Sequence, residues 1–184
     1  MPKVNLKVPK RSGFDKSHSK LLTAKCGTLI PILVDELTPN TKVHLSEIIS
    51  AQLPPLATDT FMRVNLKLEA FFCPTRLVYA GYEKWLTRDK IVDINQTQYD
   101  VCIPRLTIPA ATSTNGTLAD YLGVRSMVGG SPSPSYYVNI FPFLVYHHIW
   151  NSWYRNTQVQ RDIYFDYVWD QDNPDKLYNL PMYH

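Results

Sequence analysis

Two neighbouring histidines, His147 and His148, and four aspartates, Asp162, Asp166, Asp170 and Asp172, are the groups whose spacing raises metal chemistry. Adjacent helical residues point about 100° apart, so the two imidazoles cannot face one ion, and no carboxylate lies four residues from either. The aspartates are spaced somewhat like a calcium loop but lack its central glycine and terminal glutamate, and read as a solvated acidic face. Cys26, Cys73 and Cys102 are odd in number and far apart, with neither a CxxC pair nor a disulfide framework. Cys73, set between a strand candidate and Pro74, is expected to be a core thiol. His18 reads as a buried or interfacial hydrogen-bonding group. Gly129-Gly130 has no following Lys-Ser/Thr and is not a phosphate loop, and GxSxG and HExxH are absent. No catalytic residue, metal ligand or cofactor is predicted, and a β-sandwich enzyme is disfavoured.

The densest signal lies between these groups. Phe141 to Asn156, FPFLVYHHIWNSWYRN, places Phe143, Tyr146, His147, Trp150, Trp153 and Tyr154 at the i, i+3, i+4, i+7 spacing of one helix face. Pro142 suits a first helical turn, where its missing N–H costs nothing. Rings of this kind each bury ~150–250 Å², so such a face must cover a sheet or meet another chain. The segment 141–154 has no Lys or Arg, which favours packing over base stacking.

Charge is uneven. Met1 to Lys25 carries Lys3, Lys7, Lys10, Arg11, Lys16, Lys20 and Lys25 against Asp15 alone, a net +6 in a chain whose total is +3 and whose remainder is therefore −3. A basic arm on a near-neutral body is a common way to touch nucleic acid, and equally a way to keep a terminus in solution. The 184 residues include 14 prolines and 12 tyrosines but only 7 glycines, which favours a β-rich chain with long ordered loops. The opening residues are charged and lack an apolar stretch, so no secretory signal is expected and synthesis in a reducing cytoplasm is the default. No apolar run approaches the ~20 residues that span a bilayer.

Residues 1–20 read as an arm. Three strand candidates follow. The first, 21–34, carries Pro31, which cannot donate to a ladder and so belongs on an edge or bulge. A turn at 35–40 leads to the second, 41–53. The third, 61–73, is the clearest: Met62, Val64, Leu66, Leu68, Ala70 and Phe72 alternate with Arg63, Asn65, Lys67 and Glu69, the period of two of a half-buried antiparallel strand. Short strands are expected near 99–103 and 106–108. Helices are predicted near 81–86, 118–122 and 142–155, the second with Thr117 as its cap, Asp120 in capping-box position and Gly123 at its end. Residues 129–135, GGSPSPS, form a loop.

Several segments, taken in order, resemble the major capsid protein of microviruses, the small icosahedral single-stranded DNA phages, and in particular their gokushovirus-like branch. They are Phe14-Asp15-x-Ser17-His18-Ser19, Leu21-Leu22-Thr23, Gly27-x-Leu29-Ile30-Pro31 and Phe71-Phe72-x-Pro74-x-Arg76-Leu77 with the Trp85 that follows. Leu118-Ala119-Asp120-Tyr121-Leu122-Gly123 comes next. Phe141-Pro142-Phe143, Tyr146, Ile149-Trp150-Asn151 and Trp153-Tyr154-Arg155-Asn156 complete the set. The resemblance implies an all-β fold with helical insertions: an antiparallel jelly-roll β-sandwich. Residues 21–79 would supply its first strands, and 80–184 a helix-bearing insertion. Members of that family are much longer, so this chain is expected to be an N-terminal portion or a shortened relative, and its jelly roll incomplete.

The function implied is structural: a capsid subunit of an icosahedral T=1 shell, located in the virion and in the host cytoplasm during assembly, with no membrane partner. Its partners would be other copies of itself, other virion proteins and the single-stranded DNA genome. Trp85, Trp150, Trp153 and Tyr154 are the candidate subunit-interface residues. Lys3, Lys7, Lys10, Arg11, Lys16 and Lys20 are the candidate contacts to DNA. The alternative is a stand-alone single-stranded nucleic-acid-binding protein, which would bind oligonucleotides as a monomer and in a salt-sensitive way.

Overall fold

The structure is a computed structural model describing residues 12–55, 63–79, 81–88, 90–92, 98–100, 103, 105–108, 114–124 and 136–163. In chain order the elements are helices α1 (Thr75–Val78) and α2 (Tyr82–Thr87), strands β1 (Lys90–Val92), β2 (Gln98–Asp100) and β3 (Arg105–Ile108), helix α3 (Leu118–Tyr121), strand β4 (Tyr136–Asn139) and helix α4 (Phe141–Ile149). A π-helical turn, Trp150–Tyr154, continues α4 without a break. Both sheets are two-stranded and antiparallel. β1 pairs β2 with Ile91 opposite Tyr99, and β3 pairs β4 with Leu106 opposite Val138.

The core gathers around β3 and α4. Leu106 and Ile108, two apart on one face of β3, are buried, as are Val78 of α1, Leu118 of α3, and Ile140, Phe143, Leu144 and Tyr146 of the α4 segment. Burying one such side chain contributes about 1.5–3 kcal/mol. On the other face of this pair Arg105 lies 4.0 Å over the Tyr137 ring, a diagonal cross-strand contact open to water. At the start of α4 the Asn139 carboxamide oxygen accepts from the Phe141 N–H at 3.0 Å. Pro142 then sits within the first turn, as its fixed φ favours.

Helix α3 ends as its sequence dictates. Gly123 adopts φ +86°, the Val124 N–H reaches the Ala119 carbonyl at 2.8 Å, and the Gly123 N–H reaches that of Asp120 at 2.9 Å. This is a Schellman ending, which needs a left-handed residue. A Cβ at Gly123 would meet no neighbour, so Gly123→Ala isolates the backbone term. It is expected to cost about 1 kcal/mol in a urea melt, with an unchanged m-value. At the other end of α3 the Thr117 hydroxyl donates to the Thr114 carbonyl at 2.5 Å and makes no cap bond, contrary to the predicted box. Asp120 does reach back, but to the Gly116 N–H, at 2.9 Å.

Residues 12–55 and 63–73 contain no helix and join no ladder. Turns at Cys26-Gly27 and Pro39-Asn40, with Asn40 at φ +63°, redirect the first of these stretches. The strands expected at 21–34, 41–53 and 61–73 are therefore not formed among the described residues. The alternating apolar side of the third stands open: Val64, Leu66 and Leu68 are 56%, 64% and 46% exposed. Alternation specifies which side wants cover, while a ladder also needs a neighbouring strand to receive its hydrogen bonds.

Candidate functional site

The predicted aromatic face divides in two at Trp150. Phe143, Tyr146, His147 and Trp150 are buried, with His147 at 1% and Trp150 at 6% exposure. Trp153, 72% exposed, and Tyr154 project outward. The π-turn is the cause. The Arg155 N–H bonds to the Trp150 carbonyl at 2.9 Å, five residues back, so the turn is wider and each residue advances less around the axis. Trp153 and Tyr154 thus fall off the stripe that a continuous α-helix would have kept. Sequence spacing cannot show such a turn, because it adds no distinctive residue.

The displaced rings meet the open segment 63–73. Phe71 lies 5.7 Å from Trp153 and 6.2 Å from Tyr154, tilted to one and edge-on to the other. The Tyr154 hydroxyl donates to the Glu69 carboxylate, which also pairs with Lys67 at 2.5 Å. The Lys67 ammonium, and then the Tyr154 hydroxyl, hold the Glu69 carboxyl below its usual value. Desolvation and the adjacent Glu69 push the Tyr154 phenol up to about 12. The result is an aromatic cluster with a charged border, surrounded in sequence by exposed Leu66, Leu68 and Phe72. This composition, aromatic centre and polar rim, is that of interface hot spots.

Behind the π-turn the chain folds back. The Asn151 carboxamide makes paired bonds with the Ile163 backbone, 2.8 Å to its carbonyl and 3.1 Å from its N–H. Arg155 donates to the Gln160 carbonyl at 3.0 Å and pairs with Asp162. Asp162 is thus an ion-pair partner, while Asp166, Asp170 and Asp172 lie outside the described residues. Trp85, half-buried, lies 5.8 Å from Tyr82 on α2. Nothing described brings it to Trp153.

Of the basic candidates, Lys3, Lys7, Lys10 and Arg11 lie outside the described residues. Lys16 pairs with Asp35 at 2.9 Å. Lys20 donates to the carbonyls of Pro31 (3.4 Å), Ile32 (3.3 Å) and Tyr121 (2.5 Å). Desolvation lowers its pKa, opposed by Asp120. Its place at the C-terminal end of α3 matches the preference of cations for helix carbonyl ends. His18 makes a hydrogen-bond contact, its Nδ1 2.9 Å from the Lys16 carbonyl, and is exposed in this chain, so of the two expected settings the buried one is not found. Cys73 packs half-buried against the core, which raises its pKa. Among the described residues no helix is long and apolar enough to cross a membrane.

These surfaces belong to a chain with clear relatives. The sequence matches the capsid protein (F protein) family over residues 3–182, and the chain belongs to that family. It is 28% identical over 171 residues to the capsid protein VP1 of Chlamydia phage 1, covering 91% of this chain and 27% of that protein. It is 29% identical over 149 residues to the capsid protein VP1 of Bdellovibrio phage phiMH2K, covering 81% of this chain and 26% of that protein. The chain thus spans about a quarter of the length of these relatives.

Proposed function

We propose that this chain builds the shell of a small single-stranded DNA phage as part of its major capsid subunit. It would stand in the virion and assemble in the host cytoplasm. The observation that carries the reading is the open apolar side of 63–73 beside exposed Trp153 and Tyr154, which pack on half-buried Phe71, in a chain of the capsid protein family. Uncovered surface of this kind is normal for one copy of an obligate assembly, where interfaces commonly bury ~2,000–5,000 Å². On this reading residues 21–79 supply the first strands of an antiparallel jelly roll, their ladders made with strands beyond those described. Residues 80–184 form its helix-bearing insertion. Trp85, Trp153 and Tyr154 meet neighbouring copies, and Trp150 supports them from beneath. The arm lies toward the genome, with Lys3, Lys7, Lys10 and Arg11 neutralising phosphates, while Lys16 and Lys20, engaged by Asp35 and by backbone carbonyls, hold its far end in place.

The test is the oligomeric state of the purified chain by native mass spectrometry and electron microscopy. Rings, pentamers or shells are expected. Trp153→Ala should leave the circular dichroism and melting temperature unchanged, as exposed substitutions usually change stability by only about 0.5 kcal/mol, but abolish assembly. A monodisperse monomer at high concentration would overturn the proposal.

A further inference from the structure

We propose that residues 12–36 form an exchangeable strap, which in the assembled state docks on the α3–β4–α4 face of a second copy of this chain. The inference rests on the capsid reading above, since it needs neighbouring copies.

The strap is a unit in itself. Lys16 pairs with Asp35 at 2.9 Å, and Lys20 reaches the carbonyls of Pro31 and Ile32, so its two arms are tied together. Among the described residues, the side-chain hydrogen bonds that attach that unit to the body include four. The Lys20 ammonium donates to the Tyr121 carbonyl at 2.5 Å, and the Tyr121 hydroxyl to the Thr23 carbonyl. The Tyr146 hydroxyl donates to the Leu29 carbonyl at 2.9 Å, and the Asn139 carboxamide to Glu36 at 2.7 Å. These partners stand 98 to 117 residues away in sequence.

Burial is slight by contrast. No residue of 12–55 is fully buried, and only Leu22 and residues 28–32 are half-buried. Leu29 touches the core from outside, while Leu106, Ile108, Leu118, Ile140, Phe143 and Leu144 fill it without the strap. The strap thus contributes one side chain, Leu29, to the apolar packing around the core. Beyond it, residues 37–55 are exposed throughout and contain no helix or ladder. Nineteen such residues reach at most about 60–70 Å, enough to carry the strap to an adjacent copy.

Docked on a neighbour, the strap makes the same four bonds, so exchange costs no contact, and close packing of copies raises the effective concentration of the foreign strap.

Glu36 and Asn139 are both exposed and offer the measurement. The double variant Glu36→Cys, Asn139→Cys, carrying Cys26→Ser to remove the exposed native thiol, is prepared with normal and with heavy-isotope labels. The two preparations are mixed one to one before assembly and treated with a short bismaleimide, with single variants as blanks. Exchange predicts that about half of the 36–139 cross-links join a heavy to a light chain. Assembled particles with only unmixed cross-links, or with none, would overturn the strap exchange and leave the capsid reading intact. A chain that stays monomeric would remove both.

Discussion

Trp150→Ala is expected to lower the melting temperature by roughly 6–20 °C and to abolish ordered assembly. Trp150 is 6% exposed and shares the buried helical stripe of Phe143, Tyr146 and His147. Emptying a buried Trp site costs about 3–5 kcal/mol, which for a chain of this size converts to that range. Stability of folded chains totals only about 5–15 kcal/mol, so much of it would go. The carbonyl of this residue also closes the π-turn through the Arg155 N–H, so the collapse should spread to the Phe71–Trp153 contact. The contrast with Trp153→Ala is the decisive measurement, made by melts followed at far-ultraviolet and aromatic wavelengths. If Trp150→Ala melts like the parent chain, the division into an inward and an outward aromatic group is wrong.

Acid is expected to weaken the fold between pH 6.5 and 4 by about 3 kcal/mol. His147 is 1% exposed, and burial drives its imidazole from an ordinary 6.5 to about 4. The unfolded chain therefore takes up a proton in this window while the folded chain does not, so stability is complete above pH 6.5 and falls as pH drops toward 4. Each pH unit of such a gap corresponds to about 1.4 kcal/mol. The carboxyls of Asp15, Asp35 and Glu69 act mainly below this window. Hydrogen bonds from Ser17, Lys16 and Lys67 respectively hold them below ordinary values of 3.8, 3.8 and 4.5, so their losses come at lower pH. Urea melts across pH 4 to 7 should show the slope in the parent chain and lose it in His147→Phe. An equal slope in the two would remove His147 as its source.

The elements that could be read from sequence are those whose cause is local. Pro142 and the 3- and 4-residue spacing mark α4, and Gly123 marks the end of α3, because a helix needs only its own residues to satisfy its backbone. Strand β4 was illegible for the opposite reason. Tyr136 to Asn139 is short and has value only through Arg105 to Ile108, some thirty residues earlier. The one-turn helix α1 follows Pro74, which reads as a redirection and says nothing of what comes next. Within the candidate site, Trp153 and Tyr154 stood out as rings, but their partner Phe71 and the Glu69–Lys67 border came from a segment eighty residues away, a proximity no periodicity encodes. Lys20 looked like any other cation of the basic arm, and only the converging carbonyls reveal it as a fastener.

The widened turn at Trp150–Tyr154 has a bearing on how this surface changes over generations. A substitution that restored ordinary winding at unchanged length would carry the rings that follow further around the axis, since an α-helical residue turns by about 100° and a π-helical one by less. A ring now offered to the outside would then rotate toward the stripe of Phe143 and Tyr146. Closing the wide turn is thus sufficient to retarget the outer contact, and no side chain of the inner stripe has to be altered.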